Sequence, residues 1–144
     1  MKEYKNNEEL LNHLISKCLT IQNKKFALET EQVIKSLVAN TISEKYGIKD
    51  YLKHSCFDQS VDKDYIDKII LGINEVIDKN YGKHTAISHC KDIYGFIPPF
   101  VLVKVMTMGQ ISRYYGLLKQ EDRQKVSKYF KISDKLLKQI LFDK

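Results

Sequence analysis

The chain has 144 residues, of which 43% are hydrophobic and 29% charged, with a net charge of +6. That length suits one domain, and the composition excludes a disordered chain. No apolar run approaches the ~18 residues of a membrane-spanning helix, and MKEYKNNEELL lacks a signal peptide's apolar block, so no membrane contact is expected and the location is expected to be cytoplasmic.

The pattern is helical nearly throughout. Asn6 or Asn7 can cap a first helix with Glu8 and Glu9 in its first turn, and Leu10, Leu11, Leu14, Ile15 and Cys18 share one face. After a polar break at 20–25, a longer helix is predicted over about 26–46, with Val33, Ile34, Leu37, Val38, Thr41 and Ile42 as its stripe and Gly47 after its end. Residues 49–60 read as a loop pinned to the core by Tyr51, Leu52 and Phe57. Asp62 or Asp64 opens a helix carrying Ile66, Ile69, Ile70, Ile73, Val76 and Ile77, ended by Asn80-Tyr81-Gly82. A shorter helix follows over 85–94, stopped by Gly95.

Pro98 and Pro99 suit the first turn of the next helix, where a missing N–H costs nothing. Phe100, Leu102, Val103, Val105 and Met106 make it apolar almost all round, so it should be central and buried. Gly109 is the expected break before a segment over 110–118. A helix over 121–130 should bury Val126, Tyr129 and Phe130 and expose Arg123, Lys125 and Lys128, and Ser133 caps a last helix with Leu136, Leu137, Ile140 and Leu141. Nothing alternates at period two. The expected fold is all-α: one compact bundle of about six to eight helices over 1–144, with basic C-terminal helices over 110–144.

The stretch "IPPFVLVKVMTMGQISRYYGLLKQEDRQKVSKYF", from Ile97 to Phe130, resembles the central signature of the Abi-like (abortive infection) proteins of bacteria. The resemblance rests on Pro98, Pro99, Thr107, Gly109, Ser112, Tyr115, Leu118, Lys119, Asp122 and Arg123. "VIKSLVANTISEKYGIKDYL" and "ELLNHLISKCLTIQNKKFAL" extend it upstream over nearly the whole chain. It implies a HEPN-related helical fold and a role in antiphage defence. Two departures stand out. The family's aromatic-rich block before the long helix is missing. The HEPN ribonuclease mark, an arginine followed after four to six residues by histidine, is also missing: His13, His54, His84 and His89 all precede Arg113 and Arg123. Cleavage of that kind needs an imidazole for proton transfer and a cation near the phosphate. The chain is therefore expected to be non-catalytic as it stands, whether a natural member or a truncated fragment of a ribonuclease.

Cys18, Cys56 and Cys90 are far apart and odd in number, which argues against a disulfide framework or structural zinc. His84 and His89, with Cys90 alongside, are five apart, off one helical face, so no metal is expected. Phosphate loops and nucleophile elbows are absent, and no cofactor is expected. From Lys119 to Lys144 there are eight basic and four acidic residues, so this segment holds +4 of the total charge. Arg113, Tyr114 and Tyr115 precede it. Arginine grips phosphate with paired donors and tyrosine offers a face to an unpaired base. The candidate RNA-binding residues are Arg113, Tyr114, Lys119, Arg123, Lys125, Lys128 and Lys131. The residues equally allow a solvated lysine face with Tyr115 in the core. The alternative role is a protein-interaction module, a homodimer or a regulator of an intact Abi-like relative.

Overall fold

Why the chain turns where it does is decided mainly by caps. The structure, a computed structural model, describes residues 24–142. The helix expected near the N-terminus lies outside the described residues. Helix α1 (Lys24–Tyr46) buries Ile34, Val38, Ala39 and Ile42 along one stripe. It ends at Gly47, whose φ of 82° lets its N–H reach back to the Ser43 carbonyl at 3.0 Å. A short 3-10 turn (His54–Cys56) sits in the following loop, with Tyr51 and Phe57 buried.

Helix α2 (Lys63–Asn80) is capped by Asp62, whose carboxylate accepts from the Asp64 N–H at 3.0 Å. Helix α3 (Thr85–Ile93) is capped by His84, whose Nδ1 accepts from the Ile87 N–H. This histidine, considered above beside His89 as a metal candidate, serves its own helix, while His89 is exposed against Tyr94. Helix α4 (Pro99–Val105) starts with Pro98 as N-cap and Pro99 at the first helical position.

Helix α5 (Met108–Leu117) starts with a capping box. Thr107 accepts from the Gln110 N–H at 3.2 Å, and the Gln110 side chain accepts from the Thr107 N–H at 2.9 Å. The break between α4 and α5 therefore falls at Met106–Thr107, and Gly109 lies inside α5 rather than at the break. Helix α6 (Gln120–Tyr129) ends with Lys131 in the left-handed region at φ 58°. The Ile132 N–H then bonds the Ser127 carbonyl, and the Lys131 N–H the Lys128 carbonyl. Ser133 caps α7 (Asp134–Phe142) through the Leu136 N–H at 3.2 Å.

These seven α-helices form one all-α core with no strand among the described residues. Helix α1 packs on α4, α5 and α6; α7 closes the bundle against α5 and α6; α2 lies across α4 and α5, with α3 beside it. Two apolar side chains depart from the expected pattern. Phe100 is 51% exposed because α4 faces solvent on one side, so α4 is not buried all round. Tyr129 is 63% exposed, since the α6 face that packs inward carries Val126 and Ser127 instead.

Candidate nucleic-acid interface

The segment from Thr107 to Asp134 divides its residues sharply between internal joints and free surface. Tyr115 is fully buried, and its hydroxyl donates to the Arg123 carbonyl at 3.1 Å, tying α5 to α6. Burial first, then the nearby Asp134 charge, hold that phenol well above its usual range. The Ser112 hydroxyl lies 2.8 Å from the Met108 carbonyl and 2.7 Å from the Leu141 carbonyl, which joins α5 to α7. Leu118 is fully buried and pairs as an isolated antiparallel bridge with Phe57, and the Asp58 N–H reaches the Leu117 carbonyl at 2.9 Å.

Arg123 is a joint as well. Its Nε donates to Asp134 Oδ2 at 3.1 Å, and its guanidinium also bonds the Leu118 carbonyl and stands 3.8 Å from Asp58 Oδ2. The side chain is only 13% exposed. Its Nε and Nη1 donors are engaged with protein and its side chain is mostly covered, so it is not a free phosphate clamp. Asp58 is held below the usual carboxylate range, first by the Ser60 N–H and hydroxyl and then by Arg123.

Asp122 has no exposed surface at all. Lys45 at the end of α1 reaches its Oδ1 at 3.1 Å and Glu121 Oε1 at 2.5 Å, and the Tyr46 hydroxyl donates to Asp122 Oδ2 at 2.6 Å. Burial and the Asp122 hydrogen bond push the Tyr46 phenol up to about 12. Burial lowers Lys45, but its bonds to Glu121 and Asp122 outweigh this and raise it. Its hydrogen bond also holds Glu121 below the usual range. The end of α1 is thus latched to the start of α6 through one buried carboxylate.

Tyr114 departs from its expected role. It is buried, edge-on to Phe57 with ring centroids 5.9 Å apart, so it presents no face to a base. Its hydroxyl has no hydrogen-bond partner among the described residues, and burial raises its pKa far above the usual value. The reason is helical phase. Tyr114 and Tyr115 are adjacent, yet α5 packs on α1, α2 and α7, Tyr114 lies against Phe57 and Tyr115 bonds to Arg123 on α6, so both rings are covered.

The remaining candidates are on the surface. Lys125, Lys128 and Lys131 are exposed and Lys119 is half-buried; none has an ion-pair partner among the described residues. By contrast Glu121, Asp122 and Asp134, the three acidic residues between 119 and 139, are all bound in ion pairs. The consequence is a set of unpaired surface lysines along α6 and its flanks, in a segment whose own carboxylates are already paired. Arg113 is exposed too, but it lines a separate cleft against α2 with Tyr65, Lys68 and Gly72. The structure therefore divides the expected surface into two parts. Sequence reasoning missed Lys45, Asp58 and Asp134 as partners; the one available signal was that Asp122 and Arg123 are adjacent within the matched signature.

Eight of the ten signature residues named from the sequence, Pro98, Pro99, Thr107, Ser112, Tyr115, Leu118, Asp122 and Arg123, turn out to be caps, cross-links or core of the bundle. A family model, described as Abi-like protein, matches residues 6–142. The chain belongs to the Abi-like protein family. No match was found among curated proteins or solved structures. In this chain most of the Abi-like signature is internal, and of the charged residues among those ten only Lys119 keeps a side chain without an ion-pair partner among the described residues.

Proposed function

We propose that this Abi-like chain serves in abortive infection as a non-catalytic RNA-binding module, with Lys119, Lys125, Lys128 and Lys131 as its phosphate-contacting surface. The observation that carries the reading is the pairing pattern of α6 and its flanks. The carboxylates of this segment are consumed by Lys45 and Arg123, while these lysines stay unpaired among the described residues. Unneutralised surface cations attract a polyanion and release its counterions. Arg113 adds charge from the neighbouring cleft. Support for the non-catalytic part comes from the order of the residues: within these 144 residues no arginine is followed by a histidine.

Fluorescence anisotropy with a structured and a single-stranded RNA, at several salt concentrations, tests the reading. The Lys125→Gln/Lys128→Gln/Lys131→Gln variant should bind weaker. Its salt slope on single strands should fall by about 2, at roughly 0.7 for each phosphate no longer neutralised. Equal affinity and slope in the variant would remove this face from the function.

A second reading has its own observation. Phe100 and Tyr129 are exposed beside Val33 and Leu37 along a groove between α1, α4 and α6. Such a groove suits self-pairing or contact with an intact Abi-like relative. Molar mass in solution separates the readings: a strict monomer that also ignores the relative counts against pairing.

A further inference from the structure

Helix α2 carries an unexplained glycine. Gly72 lies in the middle of an 18-residue helix, where glycine destabilises relative to alanine because it leaves more backbone freedom to lose. Packing among the described residues does not require it: a Cβ added there would meet none of their atoms within 4 Å. Its φ is not in the left-handed region, so no turn requires it either. Gly72 lines a cleft of about 420 Å³ between α2 and α5. That volume falls within the usual range for small-ligand sites, roughly 300–1,000 Å³.

The walls have matching chemistry. Tyr65, Lys68, Gly72 and Glu75 follow one another along the α2 side, and Gln110 and Arg113 stand on the α5 side. Arg113 and Lys68 are exposed and have no ion-pair partner among the described residues. Tyr65 is 40% exposed and lines the cleft. Gln110 is anchored at one end, since its Oε1 holds the Thr107 N–H. Glu75 is the one anionic group in the lining and sets a limit on where a phosphate can sit.

We infer that the α2–α5 cleft is a nucleotide pocket: it takes one nucleoside monophosphate unit over Gly72, with Arg113 and Lys68 on the phosphate and Tyr65 against the base. Arginine supplies paired donors to phosphate oxygens, and an aromatic face stacks on any base. The unit is a free mononucleotide or one residue of a bound single strand. The inference deepens the RNA-binding reading and rests on it for the macromolecular source of that unit.

Calorimetric titration of the full chain with adenosine monophosphate, adenosine, inorganic phosphate and pentaadenylate tests it. The monophosphate should bind at micromolar to millimolar concentration, and adenosine and phosphate alone should bind more weakly. Gly72→Leu fills the cleft and should weaken monophosphate binding about tenfold or more, while its circular dichroism stays helical. Arg113→Gln should weaken it and Glu75→Gln should strengthen it, which separates charge recognition from simple occlusion. Pentaadenylate binding lost with the monophosphate in Gly72→Leu assigns the pocket to a strand, and pentaadenylate binding kept there assigns it to free nucleotide. Monophosphate binding that is absent, or equal in wild type and Gly72→Leu, overturns the proposal. The Lys125→Gln/Lys128→Gln/Lys131→Gln variant should keep monophosphate binding even where it loses RNA, so failure of the lysine face and failure of the cleft read out separately.

Discussion

Arg123 Nε donates to Asp134 Oδ2 at 3.1 Å, across the corner where α6 meets α7. The pair joins two helices, and the same guanidinium also bonds the Leu118 carbonyl beside the Phe57 bridge. Replacing Arg123 leaves Asp134, itself buried, without its counter-charge. Arg123→Ala should destabilise by about 3–5 kcal/mol, as for other broken buried pairs. Arg123→Lys should recover little, because an ammonium cannot span the fork of acceptors. Urea unfolding measures both. RNA affinity of whatever remains folded should be unchanged.

Alkaline pH should unlatch α1 from α6. The Tyr46 phenol is raised to about 12 in the fold, against about 10 in an unfolded chain. A raised pKa means that the folded state holds the proton more tightly. Its contribution is complete below pH ~10 and is lost as pH rises toward 12. Buried Tyr51, Tyr114 and Tyr115 are raised as well and act in the same direction. Thermal melts should therefore fall steeply above pH ~10. Tyr46→Phe should make that fall shallower while lowering stability at neutral pH by roughly 1.5–3 kcal/mol, the range for a hydrogen bond to a charged group.

Tyr114→Phe separates the core role from the expected stacking role. The hydroxyl is buried without a partner among the described residues. Removing it should leave stability unchanged or raise it by about 1 kcal/mol. RNA binding should not move. A loss of affinity in a folded Tyr114→Phe protein would contradict the buried placement.

Lys131 is the one non-glycine residue with positive φ among the described residues, at the turn that ends α6. A side chain there is strained by roughly 1–2 kcal/mol. Lys131→Gly should stabilise the fold by up to about 1 kcal/mol and weaken RNA binding slightly. A gain in stability with a loss in binding would mark Lys131 as a residue kept for its charge.

Gly72→Ala should also stabilise, by about 0.5–1 kcal/mol, since the methyl meets open space and α2 gains a better helix former. Denaturant midpoints with an unchanged slope would show that the gain is in stability alone.

Much of the fold was legible because it is written in local rules. Asp62, Pro98, Ser133 and the Gly47 turn act within one helical turn of where they stand, so spacing along the chain finds them. For the α4–α5 break the sequence points to Gly109, because glycine is the more visible signal, while the capping box at Thr107 needs the Gln110 side chain to turn back. Residue type alone points Phe100 and Tyr129 inward; which side of a short amphipathic helix meets a neighbour depends on where that neighbour lies. The candidate site was legible only as a surplus of charge. Lys125, Lys128 and Lys131 remain surface cations, but Tyr114 and Arg123 look identical in sequence to surface residues.

By itself, the sequence determined the helical class, the positions of nearly all the described helices, the Abi-like signature and the lack of an arginine followed by a histidine. These follow from periodicity, capping and residue order, which are properties of the chain alone. Only the tertiary structure decided which charges are free. Asp122 binds Lys45 from 77 residues away, and Asp134 takes Arg123 across a helix corner. A charge is neutralised by whatever comes within a few ångströms of it, and that neighbour is set by packing rather than by position along the chain.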